Sequence, residues 1–476
     1  MSATQPAAGQ SPSQRSTLSG VMPIVAIFVA VWVVALLYWK TASHVPAARD
    51  LLLYGLALPT LLATSFGLVR KAIAREVPRP AAGSAAAPVG DAQAQARPCT
   101  IALLDCCLRL PAGITPEDAG GAARAASIVG LHTELKRRNG VKIFAASVAS
   151  IELDQFDETL LAEDRARTLD GEQRRALLLA AEALDELMER RPIERDSTGG
   201  NGPGNDARET ALYRLHVVLP QRWRAHAGTL AAWLDARLAR ERWMPRIERA
   251  SLVCVTDPVQ ALAVLDDLSV ALQKQPASTP HILLALDSTL GQRTVDTLDN
   301  LGQLYRQAHP DGHVLGEGAC ALLLAHPDAT AAASAARVHR LAADMLSNPA
   351  EQAAQQRGDT ITQLLDAARK QAAMPELEIA SCALVSDADQ RSSRRAEVTS
   401  VVEAGWPDKK TREHCLHLGL ANGEVHAALA LSTIAVAGAH SLAEHQPTFA
   451  LSSADGIARG VMLVTPPPIQ VDALPA

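Results

Sequence analysis

The spacing of hydrophobic positions changes along the chain and divides it into segments. Residues 1–20 are rich in Ser, Gln, Ala and Pro, which predicts a disordered tail. Residues 21–39 and 51–69 are two uncharged apolar runs. Each run is close to the roughly 20 residues with which a helix crosses a bilayer. The pattern therefore predicts a transmembrane helical hairpin over residues 21–70.

Basic residues favour a cytoplasmic location for both ends of this hairpin. The loop between the two runs carries Lys40 and Arg49. Four basic residues follow the second run directly or closely: Arg70, Lys71, Arg75 and Arg79. The positive-inside rule then attaches the protein to a bacterial inner membrane with its soluble body in the cytoplasm. The alternative is one spanning helix followed by an interfacial segment, which would put the body in the periplasm.

After a flexible linker at residues 71–98, rich in Ala, Gly, Pro and Gln, the pattern becomes that of a folded body. Short apolar runs predict strands, for example at residues 100–104, 251–255 and 281–286. Helical spacing predicts helices at residues 123–138, 161–189, 230–249, 258–272, 360–373 and 425–437. This alternation predicts an α/β fold with buried sheets covered by helices. We divide the body into a first half, 99–250, with an inserted Gly-rich loop at 190–209, and a second half, 251–476.

Composition and charge exclude some classes of function. The formal net charge is -6 and 20% of the residues are charged, so there is no basic excess of the kind that nucleic-acid binding requires. The 7 cysteines show no Cys-x-x-Cys spacing, and an odd number cannot all pair within the chain. Buried thiols in a reducing compartment are the interpretation we favour. Neither a metal site nor a cofactor is predicted.

One segment carries a family resemblance. Residues 311–324 read Asp-Gly-His-Val-Leu-Gly-Glu-Gly-Ala-Cys-Ala-Leu-Leu-Leu, so a turn-forming Asp-Gly leads into Gly-Glu-Gly and a small apolar run. This order resembles a segment of the β-ketoacyl synthases, members of the thiolase-like superfamily. The order of strands and helices over roughly the last half of the chain resembles the same family. The resemblance implies a thiolase-like body with α-β-α-β-α layers.

The position of the family's nucleophile is occupied differently in this chain. In the ketosynthases a strand leads into a helix whose N-terminus carries the nucleophilic cysteine. Aligning the helix that follows on Ala261 and Leu262 puts Val255 at the nucleophile position. Cys254 lies one residue earlier on a predicted strand, where neighbouring side chains point to opposite faces. We therefore predict that Cys254 is a buried structural thiol.

The two histidines of the family are also replaced. Where the family has Glu-Ala-His-Gly-Thr-Gly-Thr, residues 384–390 contain Asp387 and no histidine. Where it has Asn-x-Gly-His, this chain has Asn422, then Gly423 and Glu424, with His426 two residues later. Residues 451–456 lack the Gly-Phe-Gly-Gly that lines the family's site.

These replacements argue against the family's reaction. Decarboxylative condensation needs imidazoles that donate hydrogen bonds to a developing enolate oxygen, which carboxylates would repel. We therefore predict a pseudoenzyme without catalytic residues. The resemblance places five residues in its degenerate pocket: Cys254, Val255, Asp387, Asn422 and Glu424.

A segment rich in Arg and Trp, at residues 223–249, has no clear ketosynthase counterpart. It is either a solvated helix face with tryptophans anchored in the core, or a surface that binds an acidic partner or the membrane. Arg and Trp are enriched among the residues that dominate binding energy at interfaces. The candidate partner-binding residues are Trp223, Trp233, Arg240, Arg242 and Trp243.

A membrane anchor, a linker and a degenerate thiolase-like body together resemble the adaptor proteins of bacterial type VI secretion that accompany lipase effectors. This resemblance implies binding of a lipase effector and its delivery to the secretion spike. Two alternatives remain open. One is a ketosynthase-like acyl-thioester enzyme that uses rearranged residues such as Asp387, Glu424 and His426. The other is a partner of a lipid or polyketide synthase, analogous to a chain-length factor. Thiolase-like domains often dimerise, so a homodimer is compatible with each of these functions.

Overall fold

The computed structural model describes residues 99–127, 129–190, 213–241, 243, 246–274, 279–350 and 358–468. The predicted tail, transmembrane hairpin and linker, at residues 1–98, lie outside the described residues. So does the predicted Gly-rich loop, except for Arg190 at its start.

Strands alternate with helices through the described residues. The first strands are β1 (Thr100–Arg109), β2 (Leu131–Lys136), β3 (Lys142–Ala146), β4 (Tyr213–Pro220), β5 (Ile247–Val255), β6 (His281–Ser288) and β7 (Leu315–Ala325). The strands that follow are β8 (Ala336–His339), β9 (Ala342–Met345), β10 (Ala383–Ser386), β11 (Cys415–His417), β12 (Thr448–Ser452) and β13 (Ala458–Thr465).

The helices connect these strands and cover the sheet. Those before β7 are α1 (Pro116–Arg124), α2 (Glu163–Ala166), α3 (Gly171–Glu189), α4 (Ala227–Arg240), α5 (Pro258–Lys274) and α6 (Gln292–Asn300). Those after it are α7 (Asp359–Gln371), α8 (Ser392–Gly405), α9 (Lys409–Arg412), α10 (Gly419–Asn422) and α11 (His426–Glu444). Short 3₁₀ helices occur at Leu153–Gln155, Glu158–Leu160, Gln221–His226, Thr330–Ala332 and Ile379–Ser381.

The strand order repeats itself. The main path of the sheet is β11-β10-β12-β13-β8-β1-β7-β6-β4-β5. Within β5-β4-β6-β7-β1 the first two pairs are parallel and the next two antiparallel. The run β11-β10-β12-β13-β8 has the same pattern. Two equivalent halves therefore meet where β1 pairs with β8. In the structure the first half ends with β7 and the second begins with β8. The boundary predicted from the sequence, at residue 250, instead falls inside β5.

The hydrophobic core confirms the five layers expected from the sequence. Helices α5 and α11 lie in the middle, where Leu265 and Ile434 belong to a cluster that includes residues from both halves of the sheet. Helices α3 and α4 cover the outer face of the first half, as Leu184 and Trp233 illustrate. Helices α7 and α8 cover the outer face of the second half. Burial on both sides explains why the strands read as continuous apolar runs rather than as alternating ones.

The Gly-Glu-Gly segment anchors the first half. All residues of β7 are buried, and the Glu317 side chain is fully shielded from solvent. Both of its carboxylate oxygens bind the guanidinium of Arg175 on α3, at 2.6 and 2.7 Å, and one also accepts from Val148 N at 2.9 Å. A buried carboxylate is stable only with such partners. Glu317 therefore ties α3 and the segment after β3 to the centre of the sheet.

Two predicted helices differ from the observed elements. Residues 123–138 were predicted to be a helix, but this helix ends at Arg124 and Leu131–Lys136 is strand β2. Its start is set earlier, by the side chain of Thr115 as N-cap and by Pro116 in the first turn. The helix predicted at 230–249 ends at Arg240, and β5 begins at Ile247. The arginines after residue 240 gave residues 241–249 the composition of a helix.

One helix of the described residues, α11, is long and apolar enough to cross a membrane by length and composition alone. Its apolar window is 78% buried inside the fold, however, because it lies in the middle layer. The core position accounts for its hydrophobic character without a membrane.

Candidate functional site

A cavity of about 310 Å³ lies where loops of both halves converge. It is flanked by the junction that leads from β5 into α5 and by the equivalent junction that precedes α11. Its lining residues are Thr256, Pro258, His313, Asp387, Asp389, Arg391, Arg394, Gly423, Glu424, Val425, His426, Leu429, Ala454, Asp455 and Gly456. We call this cavity the pocket. Crevices at the carboxyl ends of strands are common ligand sites in α/β folds.

The nucleophile position is apolar and turned into the core. Val255 ends β5, is 2% exposed and belongs to the central cluster between the halves of the sheet. Cys254 packs against the outer cluster on the opposite face, as strand alternation requires. Burial raises the pKa of the Cys254 thiol, although Arg224 opposes this shift. Neither side chain lines the pocket, which begins at Thr256.

Asp387 lines the pocket but is held by the protein itself. It follows β10 directly and is fully buried. Its carboxylate accepts hydrogen bonds from Ser452 Oγ at 2.6 Å, Ser453 N at 2.6 Å and Ala454 N at 3.0 Å. Burial raises the pKa of Asp387, and these hydrogen bonds oppose the shift. Asp387 therefore fixes the loop between β12 and β13.

The same loop is held from its other side by two arginines. The carbonyl oxygen of Ala454 accepts from Arg391 at 2.8 Å and from Arg394 at 3.2 Å. Arg391 also forms an ion pair with Asp389 at 2.7 Å, and both side chains are almost completely buried. Both the N–H and the carbonyl of Ala454 are thus fixed.

Glu424 forms an ion pair with His313 across the pocket. Burial opposes the charge on Glu424, but the hydrogen bond and charge of His313, with Arg391 and His426, lower the pKa of Glu424 to about 2. The hydrogen bond that His313 donates to Glu424 raises the pKa of His313, although burial acts against this shift. Each partner therefore favours the charged form of the other. The pair brings together residues 111 positions apart.

The turn before α11 positions Glu424. Asn422 is fully buried, donates to Leu418 O at 2.8 Å and accepts from Ala112 N at 2.9 Å. Gly423 has a φ of +65°, and a Cβ there would lie 2.8 Å from Leu315 O. Asn422 therefore has a structural role, and it is not among the residues that line the pocket.

The structure thus brings Asp387 and Glu424 of the predicted pocket together and places Cys254, Val255 and Asn422 behind its surface. Sequence reasoning missed His313, Asp389, Arg391 and Arg394. His313 lay within the Asp-Gly-His motif itself, but nothing in the sequence linked it to Glu424. His426, which we had considered only for the alternative enzyme, lines the pocket, and its Nε2 lies 3.2 Å from Thr256 O.

The candidate partner-binding residues are mostly engaged within the fold. Trp223 and Trp233 are 3% and 1% exposed and belong to the outer core of the first half, so a partner cannot reach them. Trp243 is half-buried and donates to Asp185 Oδ1 at 2.9 Å. Arg240 is nearly half exposed and pairs with Asp157. Arg242 lies outside the described residues. The exposed part of the candidate surface is therefore centred on Arg240.

Comparison with protein-family models and with curated proteins finds no match. Solved structures do match. The ishigamide ketosynthase/chain length factor superposes with a TM-score of 0.53 at 16% identity, over 77% of this chain and 99% of that one. The oxazolomycin ketosynthase domain of Streptomyces albus gives a TM-score of 0.51 at 12% identity, over 79% and 76%. The ketosynthase from module 6 of the bacillaene synthase of Bacillus subtilis gives 0.51 at 11%, over 77% and 72%.

These identities are low, so the likeness concerns the fold alone. The matched region spans more than two thirds of this chain and of each of these structures. The body of this protein therefore has the thiolase-like fold found in ketosynthases.

Proposed function

We propose that this chain is a membrane-anchored, non-catalytic thiolase-like protein that acts as an adaptor for a protein partner. The partner we propose is a type VI secretion lipase effector, which the adaptor would load onto the secretion spike. The observation that carries the non-catalytic part is the position of Val255, because a valine packed into the central core cannot attack a thioester. Cys254 cannot replace it, since its side chain packs on the opposite face of the sheet.

The pocket supports this proposal through the way its charges are used. Asp387 is occupied by three hydrogen bonds from the loop after β12, and Glu424 is paired with His313. Asp389 is paired with Arg391. An oxyanion site requires donors that are aimed at the reacting atom rather than at one another. Here the charged groups stabilise the walls of the pocket.

Mass spectrometry tests the absence of covalent chemistry. We expect no acyl adduct on the protein after incubation with acyl thioesters such as acetyl and octanoyl coenzyme A. A non-ketosynthase protein with exposed thiols, treated in parallel, sets the level of non-specific acylation. A stoichiometric adduct that Cys254→Ala removes would contradict the proposal.

Capture of the effector tests the adaptor role. The full-length protein, in detergent, should retain the lipase encoded beside its own gene in a pull-down experiment. If the exposed surface around Arg240 makes the contact, Arg240→Glu should weaken binding at least about tenfold, since a hot spot contributes roughly 2 kcal/mol or more. The matched control is Arg165→Glu, at an exposed arginine on α2. Failure of the folded wild-type protein to retain the lipase would reject the adaptor role.

We also propose that the body faces the cytoplasm from the inner membrane, on the basis of the basic residues that follow the second apolar run. A C-terminal reporter that is active only in the periplasm should remain silent, whereas a cytoplasmic reporter should be active. The reverse result would place the body in the periplasm.

A second candidate function is an acyl-thioester enzyme with rearranged residues. The observation that favours it is the presence of two imidazoles, those of His313 and His426, in the pocket. A third candidate is a chain-length-factor-like partner of a lipid or polyketide synthase, supported by the fold shared with the ishigamide protein. Copurification of an acyl carrier protein instead of a lipase would favour these two candidates.

A further inference from the structure

Residues 303–314, which we call the clasp, connect α6 to β7 beside the pocket. The clasp is a formed loop, because Tyr305 N donates to His313 O at 3.0 Å. Its turn is tight at Gly312, where a Cβ would lie 2.4 Å from backbone atoms of Leu304 and Tyr305. The clasp therefore has a defined conformation that is set within the first half of the fold.

Four consecutive residues of the clasp make polar contacts with the second half. The contacts, in chain order, are Ser392 N with Asp311 Oδ1 (2.6 Å), Gln390 Nε2 with Gly312 O (2.8 Å), Glu424 with the His313 imidazole, and Glu424 N with Val314 O (2.9 Å). The first half thus contributes His313 to the lining of the pocket, on a loop that is attached to the second half. The shape of the pocket therefore depends on the strength of these four contacts.

The four contacts differ in how they respond to pH. Three are hydrogen bonds donated by backbone or amide N–H groups, which keep their protons near neutrality. The fourth is an ion pair, and its imidazole is the side chain type that titrates in the physiological range. We propose that the clasp holds the pocket closed across the two halves, and that the His313–Glu424 ion pair is the contact that releases it when His313 loses its proton. This proposal does not depend on the adaptor function.

Several charged groups face the ion pair and define the range in which it acts. The hydrogen bond that His313 donates to Glu424 raises the pKa of His313. Burial and the charge of Arg391 act against this shift, and the charge of Asp389 supports it. The Glu424 carboxylate is also near His426 and Arg222. Because the pKa of His313 is raised in the folded state, the attraction between the two charges contributes fully below pH 6.5 and is lost as the pH rises through the folded pKa. The pKa of Glu424 is lowered from 4.5 to about 2, so the contribution of its charged carboxylate is complete down to pH 4.5.

Hydrogen exchange of the full-length protein tests the clasp directly. The measured quantity is the protection factor of peptides from residues 303–314, corrected for the intrinsic exchange rate at each pH. In the wild-type protein we expect about tenfold more protection at pH 6 than at pH 9, since a tenfold change is 1.4 kcal/mol, an amount typical of a partly buried charge pair. Glu424→Gln should reduce protection at pH 6 to the level seen at pH 9.

Controls separate release by deprotonation from general damage. His313→Gln should make protection independent of pH between 6 and 9, and Glu376→Gln, at an exposed glutamate outside the pocket, should behave like the wild type. Equal protection of wild type and Glu424→Gln at both values would overturn the proposal. An equal loss of protection in Glu424→Gln at pH 6 and at pH 9 would also overturn it, because the ion pair would then have no pH-dependent role.

A second measurement keeps the test valid if a variant folds poorly. The imidazole of His313 can be titrated by NMR in the wild-type protein, with the signal assigned by its absence in His313→Gln. We expect a titration midpoint above 6.5, accompanied by line broadening of clasp signals in the same range. A midpoint at or below 6.5 would overturn the proposal.

Discussion

The turn that carries Glu424 depends on a glycine at position 423. Its φ of +65° is unfavourable for other residues, and a Cβ would approach Leu315 O at 2.8 Å and Val314 O at 2.9 Å. We predict that Gly423→Ala lowers the free energy of unfolding by more than about 1 kcal/mol, because both strain and a steric clash oppose the folded state. Chemical denaturation measures this value.

Gly121→Ala provides a control of opposite sign. Gly121 lies on α1 with no atom within 4 Å of a Cβ placed there. Alanine favours a helix over glycine by roughly 0.5–1 kcal/mol, so this variant should be unchanged or more stable. Equal losses in both variants would show that the conformation at position 423 is not the cause.

Single residues of the pocket could be predicted where the family has a short motif, and only there. Asp387 and Glu424 were found because they occupy the positions of two motif histidines. His313 stood within the quoted Asp-Gly-His segment, but its partner Glu424 is 111 residues away. An ion pair over that separation produces no pattern in the sequence by which it could be predicted. Val255 packs into the central core and Cys254 on the opposite face, an assignment that depends on register because a shift of one residue reverses the face of a strand.

Buried ion pairs add specific links between elements that the hydrophobic core already joins, and the Arg175–Glu317 pair between α3 and β7 is one of them. We predict that Arg175→Ala lowers the free energy of unfolding by about 3–5 kcal/mol, because the fully buried Glu317 carboxylate loses its counter-charge. Arg167→Ala is the matched control. Its pair with Glu163 is more than 70% exposed at both side chains, so we expect a change of at most about 1 kcal/mol. A small effect of Arg175→Ala in denaturation experiments would contradict this role of the pair.

Elements were predictable to the extent that their ends carry local signals. The strand predicted at 281–286 and the helix predicted at 258–272 match β6 and α5 closely, since a run of apolar residues and a proline in the first turn define them. The helix predicted at 123–138 failed because β2 is largely exposed and carries helix-favouring Leu, Glu and Lys. Its strand conformation comes from pairing with β3, a contact that a local pattern does not report.

The whole molecule should lose stability in mild acid. Burial is the main factor that lowers the pKa of His281, His339 and His417 to about 4 each. In the unfolded chain these imidazoles have a pKa near 6.5, so the unfolded state binds more protons between pH 6.5 and 4. The stability that depends on neutral imidazoles is therefore complete above pH 6.5 and decreases as the pH falls towards 4. The buried acids Glu172 and Asp387, whose pKa values are raised by burial, oppose this trend.

Thermal unfolding between pH 7.5 and 5 measures the effect. We expect the melting temperature to fall, with a smaller fall in His339→Gln, whose imidazole is buried. His445→Asn, at an exposed position after α11, should follow the wild-type profile. A melting temperature that does not change over this range would contradict the prediction.

The repeated strand order of the two halves has a consequence for how this body tolerates change. Each half contains a junction at which a strand leads towards a central helix, the first between β5 and α5 and the second before α11. Residues that serve catalysis at such junctions usually reduce stability, because they expose polar or strained groups. Val255 does the opposite: it adds a buried apolar side chain to the shared centre. Under the proposed adaptor function, a junction without catalytic residues would leave a more stable scaffold on which to present one fixed binding surface.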